Sequence, residues 1–449
     1  MTDTTAPAKS GGLRDLGKMF GGSTSTLRQF GILGALIVIV VFFQIATGGK
    51  TLEPGNVINI VNANTYVLIL AIGMVMVIIA GHIDLSVGSV AAFTGIVVAI
   101  ALNRWHWPVP AAILLGLVVG LLIGAWQGFW VAYVGVPAFI VTLAGMLIFR
   151  GANQFVGNST TEPVPQSFTW LGGGYIPDFG GGRFSNGTLI LGFLVALILI
   201  AQEFLLRRRQ RRVGAETAPV WVSIVKVVLL DIVVIAATFL FASGRAGTSF
   251  PIPGIIVAVL VVAYSFVTNN TVIGRHVYAV GGNWHAAELS GVKIRRVNFF
   301  VMANMSVLAA LAGMAFVSRS IASGPGDGQG WELDAIAAVF IGGAAVSGGI
   351  GTVIGSIVGA LVIAVLNNGL QLLGVTSDRV QIIKGVVLLI AVAIDVFSKR
   401  SGGRSILSRF RRPGGDAGPS LNERPDVPPA ATSPEATARP ADVPTTPPA

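Results

Sequence analysis

Apolar runs long enough to cross a bilayer follow one another almost without interruption from Phe30 to Phe397. Few folds are open to such a chain. Backbone N–H and C=O groups in hydrocarbon must bond within the protein, so runs of this kind cross as helices of about 20 residues, with shorter pieces where a helix breaks or re-enters. The runs are 30–47, 66–80, 86–102, 109–133, 138–149, 188–206, 220–242, 252–267, 299–317, 335–346, 352–366 and 382–397. They predict an all-α fold, a polytopic integral membrane helix bundle of about 12 transmembrane segments, with short broken or re-entrant helices beside Asp84 and at 335–346. The chain is 53% hydrophobic and 11% charged, against about 25% charged in soluble domains. Its 58 glycines suit close helix–helix contact. Cysteine is absent, which excludes disulfides, thiol catalysis and cysteine metal sites.

Basic residues set the orientation. Arg207, Arg208, Arg209, Arg211 and Arg212 cluster, as do Arg295 with Arg296, and Lys399 with Arg400 and Arg404. Placing all of them in the cytosol gives an even number of crossings, with both termini cytosolic and loops 151–186 and 318–334 outside. The formal charge of +10 is therefore a topology signal before it is a nucleic-acid signal. Residues 1–29 lack an apolar core followed by a small-residue cleavage site and are expected to be a cytosolic segment preceding a retained span. Residues 30–398 form the transmembrane domain, and the Pro-, Ala- and Thr-rich residues 399–449 are expected to be a disordered cytosolic tail. Lys226 and Asp231 lie inside run 220–242, at a spacing poor for pairing on one helix face.

A basic, glycine-punctuated island, 274–296, separates two apolar runs and lies within a cytosolic loop, 269–297. Asn283 is a good N-cap, and Gly291 suits the left-handed residue that ends a helix. Between them residues 284–290 make about two turns, too few to be stable in water without a supporting surface. A docking element is the expectation.

Polar residues at membrane depth form a second set. Asp84, followed by Leu85 and Ser86, is expected at a helix break, capping the next helix; contact with a permeating solute is the lesser reading. Asp334 opens a similar short run and is expected to cap it in the same way. Two such interrupted segments point to a central pathway. Asn62, Asn64, Asn367 and Asn368 either tie helices together or bond a sugar hydroxyl, with helix contact favoured. Trp126 and Trp130 share a helix face that either packs or stacks on a sugar. The phosphate-loop-like spacing from Gly12 to Met19 ends in Met and follows no strand, so no nucleotide domain is expected on this chain. Histidine is too sparse for a metal site, and no nucleophile–base constellation is evident.

The stretch from Gly81 to Ser89, the stretch from Gly274 to Gly291, the run Leu333-Asp334-Ala335-Ile336-Ala337-Ala338, Asn367-Asn368-Gly369 and Ile383-Lys384-Gly385 together resemble permease subunits of bacterial ATP-binding-cassette sugar importers of the ribose/xylose type. The stretch from Gly124 to Tyr133 and the added apolar region after Arg212 are similar to the xylose branch. The resemblance implies a multi-pass protein of the bacterial plasma membrane, working with a second permease copy as a homodimer within membrane lipid. It implies an extracytoplasmic sugar-binding protein and a cytosolic ABC ATPase subunit; ATP and Mg are used by that ATPase, with no cofactor on this chain and no nucleic-acid partner. Gly281, Gly282, Asn283, Ala286, Ala287, Glu288, Ser290 and Gly291 match the ATPase-coupling region. Asp84, Ser86, Asn62, Asn64, Trp126, Asp334, Asn367 and Asn368 are the candidates for the translocation pathway or its helix breaks. An ion-coupled secondary transporter, using Asp84 and Asp334 as coupling groups, is the alternative.

Overall fold

The computed structural model describes residues 24–400, apart from 180–181, 213, 215–219 and 245–247. In chain order its elements are α1 (Thr24–Ala46), α2 (Pro54–Ile79), α3 (Val87–Asn103), α4 (Val109–Phe129), α5 (Ala138–Val156), β1 (Glu162–Pro163), α6 (Trp170–Gly173), β2 (Tyr175–Pro177), α7 (Asn186–Arg212), α8 (Val220–Ala242), β3 (Thr248–Pro251), α9 (Ile252–Asn270), α10 (Val272–Gly282), α11 (Trp284–Leu289), α12 (Ile294–Ser320), β4 (Ala322–Ser323), α13 (Trp331–Ile341), α14 (Val353–Leu372) and α15 (Ser377–Arg400). Among the described residues, 8 helices are long and apolar enough to cross a membrane, and α1 and α3 add shorter apolar helices. The strands only staple loops together, β1 to β4 and β2 to β3, each pair antiparallel. Beside the first staple the Arg104 guanidinium, 2.5 Å from Glu162, holds that carboxyl below its usual range.

Two long helices make the core. α2 is apolar all round from Val67 to Ile79, the pattern of a helix enclosed by others, and those residues are buried. α12 runs antiparallel to it: the ring of Tyr66 meets Phe316 at 5.6 Å near one end, and Asn304 Nδ2 reaches Met76 Sδ at 3.9 Å near the other. Pro54 starts α2 at a position where its missing N–H costs nothing.

α4 meets α12 through bare backbone. Ala112, Gly116, Gly120, Gly124 and Gly128 recur every fourth residue, so all lie on one helix face. A Cβ at Gly116 would stand 2.7 Å from Met314 Sδ, at Gly120 2.6 Å from Ala310 Cβ, and at Gly124 2.6 Å from Ala303 Cα. This is the small-residue packing that lipid-embedded helices use in place of a hydrophobic driving force.

Both central helices are followed by a break and a short helix. After α2 the chain returns through residues 80–86 before α3 begins; after α12, residues 324–330 lead to α13, only 11 residues long. The breaks meet, since a Cβ on Gly88 would strike the carbonyl of Gly328, and one on Gly328 the carbonyl of Gly88. At the other end of α13, Gly349 N–H donates to Ile79 O at 2.8 Å, closing the turn that follows α13 onto the C-terminus of α2.

Several expected boundaries move. The run expected at 66–80 begins at Pro54, because its asparagines lower hydropathy while those at 56, 62 and 64 find amide and phenol partners inside the bundle. The run expected at 335–346 is helical from Trp331 to Ile341 only. Thr24 to Gln29, expected in the N-terminal segment, belong to α1, and the expected loop 269–297 is largely helical as α10 and α11. The expected C-terminal tail beyond Arg400 lies outside the described residues. Lys226 finds a partner across the α7–α8 hairpin, in Glu203 at 3.1 Å rather than in Asp231.

Replacing Gly124 with Val should overfill the α4–α12 contact and cost about 1–3 kcal/mol. Gly151→Ala, where nothing lies within 4 Å, should be neutral or slightly stabilising. Thermal unfolding of the two purified variants in the same detergent compares them directly.

Candidate functional site

At one end of the bundle α10, α11 and the turn after α13 gather around the C-terminus of α2. The Thr271 side chain caps α10 by accepting Gly274 N–H at 3.2 Å, and the Asn283 side chain caps α11 by accepting Ala286 N–H at 3.1 Å. α11 ends at Gly291, which has φ +83; its N–H donates to Glu288 O at 2.8 Å, and Val292 N–H donates to Ala287 O at 3.0 Å. Caps at both ends let a helix of 6 residues hold its shape. Of that helix only Ala287 is buried. Ala286, Glu288 and Ser290 face out, the rings of Trp284 and His285 stack at 3.4 Å, Trp284 is 51% exposed and Leu289 91%. The helix therefore presents two large apolar side chains, Trp284 and Leu289, to the outside at the end of a loop.

Gly281 seats this end on the core. A Cβ there would run into the Ile79 carbonyl and come within 2.8 Å of Gly349 N. Gly282 has open space around it. Tyr278 OH donates to Gly351 O at 2.7 Å. α11 is thus connected through α10 to the last turn of α2 and to the turn after α13. A cavity of about 380 Å³ adjoins this region, lined by Gly81, His82, Ile83 and the turn from Val131 to Phe139.

Deeper in the bundle, Asp84 fixes the first break. Its Oδ1 accepts both the N–H of Ser86 at 2.8 Å and the Ser86 hydroxyl at 2.6 Å, and Gln127 Nε2 donates to the same hydroxyl at 2.8 Å. Ser86 itself occupies the cap position of α3, so Asp84 holds the turn before the helix and does not cap it directly. Asp84 and Gln127 are fully enclosed. The sequence reading overlooked Gln127; its signal was one amide within an apolar run, opposite Gly145, whose missing side chain makes room for it.

Asp334 does not repeat the Asp84 arrangement. Gly330 starts α13, and Asp334, one turn in, pairs with Lys384 of α15 at 2.9 Å. A lone lysine within an apolar run was the clue to that partner. The asparagines join helices: Asn56 and Asn368 exchange two bonds, at 2.8 and 2.9 Å, Asn367 Nδ2 reaches Asn64 Oδ1 at 3.5 Å, and Asn62 Nδ2 donates to Tyr175 OH at 3.2 Å. Trp126 lies edge-on to Phe149 at 6.0 Å and is 39% exposed, away from the asparagines. Among the described residues no group of three or more His, Asp or Glu is placed to hold a metal ion.

Asp334→Asn should destabilise the bundle by about 3–5 kcal/mol, because it strands the Lys384 charge inside the protein. The double change Asp334→Leu with Lys384→Leu should recover most of that loss. Unfolding midpoints of Asp334→Leu, Lys384→Leu and the double variant test the pair, and additive losses would show that the contact is not an energetic unit.

The chain is 39% identical over 383 residues to the xylose transport system permease protein of Haemophilus influenzae, covering 85% of this chain and 100% of that protein. It is 38% identical to the xylose transport system permease protein of Escherichia coli, covering 83% and 93%. It is 33% identical to the ribose import permease protein of Escherichia coli, covering 82% and 94%. No solved structure matches it. Residues 56–392, from the first turn of α2 into α15, match one family along their whole length, and the chain belongs to that family, described as the branched-chain amino acid transport system / permease component.

Proposed function

We propose that this chain is the membrane-spanning permease subunit of an ATP-driven sugar importer, carrying a pentose, D-xylose in the first instance, across the bacterial inner membrane. The observation that carries the reading is α11: a six-residue helix, rigidly capped, presenting Trp284 and Leu289 outward while Gly281 beside it touches the end of the central helix. A soluble ATPase docking on α11 would act directly on the end of α2 and on the turn after α13. Likeness to xylose permeases over more than four-fifths of the chain supports the choice of sugar, and likeness to a ribose permease supports the class.

In this reading ATP and Mg²⁺ bind the partner ATPase, an extracytoplasmic binding protein delivers the sugar, and two copies of this chain enclose the pathway within the lipid. Residues 269–297 form the coupling segment between transmembrane parts of a single domain, 30–398, and both termini face the cytosol. Gly281, Gly282, Asn283, Ala286, Ala287, Glu288, Ser290 and Gly291 hold and present the coupling helix. Asp84 and Ser86 keep the first break open, and Asp334 keeps α13 fixed to α15. Asp334 is committed to Lys384 and so is not free to carry a coupling ion, while Asp84 spends one carboxylate oxygen on Ser86.

Reconstitution with the ATPase and the binding protein should give D-xylose uptake that requires ATP and is indifferent to proton and sodium ionophores. Uptake without ATP that an ionophore abolishes would overturn the reading. Gly291→Val strains a residue at φ > 0, and Gly281→Leu collides with Ile79. Each should insert in the membrane normally yet import at least about tenfold more slowly, a loss of about 1.4 kcal/mol or more in coupling. Wild-type uptake rates in both variants would exclude α11 as the entry point for the ATPase stroke.

A further inference from the structure

At the end of the bundle remote from α11, the stripe Asn59, Asn62 and Tyr66 on α2 faces Arg319 of α12, Trp331 of α13 and Tyr175 of β2. These four elements converge through the Asn62–Tyr175 bond, the Arg319 Nη2 to Asn59 Oδ1 bond at 2.9 Å, and the Tyr66–Trp331 ring contact at 4.2 Å between centroids and 34° between planes. Exposure grades inward: Asn59 is exposed, Arg319 and Tyr175 are half-buried, and Asn62 is only 7% exposed. Such a gradient describes a polar inlet ending on aromatic rings.

The inlet has unused bonding capacity. Asn62 spends one half of its amide on Tyr175, and its Oδ1 is buried without a partner. Turning the amide over would only exchange which half is left free. An amide oxygen buried this way is costly unless something donates to it. Among the described residues the Arg319 guanidinium, with five N–H groups, donates only to Asn59, and the Tyr66 hydroxyl makes no hydrogen bond. One free acceptor thus sits among free donors, beside the Tyr66 and Trp331 rings. Adjacent hydroxyls of a sugar, each both donor and acceptor, satisfy that combination, whereas a carboxylate cannot donate to Asn62 and an apolar solute satisfies none of it.

We propose that Asn62, Arg319, Tyr66 and Tyr175 form a low-affinity monosaccharide site on the way into the bundle, with Trp331 as its floor. This rests on the sugar-import reading above. It assigns the permease its own recognition of the sugar hydroxyls, separate from that of the binding protein.

Equilibrium binding of radiolabelled D-xylose to the purified permease–ATPase complex, with the binding protein left out, tests the site. Saturable binding is expected, weakened about fivefold by Tyr175→Phe and by Arg319→Gln, the loss of about one hydrogen bond each. Tyr175→Phe keeps the ring and hence the packing. Its effect should vanish for whichever monodeoxy-D-xylose lacks the hydroxyl paired with Tyr175, a coupling that a purely structural bond would not produce. Absence of saturable binding in the wild-type complex, or equal loss with every deoxy sugar, would overturn the site. If that wild-type complex still imports D-xylose with ATP once the binding protein is restored, the site falls while the import function stands.

Discussion

The bundle depends on backbone touching backbone around α12. A helix inside lipid gains little from burying apolar side chains, since the surrounding tails are equally apolar, so its association rests on fit. The glycines of α4 bring its backbone against α12, and Gly313 of α12 lies so close to Ala91 of α3 that a Cβ there would strike its carbonyl. With two helices pressed against it in this way, α12 becomes the fixed post around which the breaks can be placed. Only because that post is rigid can short segments such as α13 start in the interior with their polar ends satisfied by neighbours.

The same logic governs the charges. Asp84 is bonded by a hydroxyl that is itself held by Gln127, and Asp334 by Lys384. Each acidic group is tied to a different helix from its own or to the turn it stabilises, so the polar contacts fix the relation of elements that packing alone leaves free to slide. In a transporter that must alternate between conformations, such ties set which parts move together.

Much of this was legible in the sequence. Hydrophobic run lengths gave the class of fold, and Asn283 and Gly291 gave both ends of α11, because capping is a local matter of a few residues. What escaped reading was non-local. The first turns of α2 looked too polar to be a span, since the partners of Asn56 and Asn64 are Asn368 and Asn367, far along the chain. Asp334 looked like a cap by analogy with Asp84, but a carboxylate one turn into a helix had Lys384 within reach. The fourfold glycine spacing of α4 was in plain view, and only its partner surface was missing.

The α7–α8 hairpin has a different relation to the rest. Its two helices contact chiefly each other, Gly192 giving way to Thr238, while Glu203 accepts Lys226 and lies 3.8 Å from Arg207. Between it and α9 lies an apolar cavity of about 680 Å³. Glu203 thus finds its cationic partners within the hairpin itself and needs no other helix for its charge to be tolerated in lipid. The apolar cavity beside α9 sets this self-contained pair of helices apart from the post at the centre.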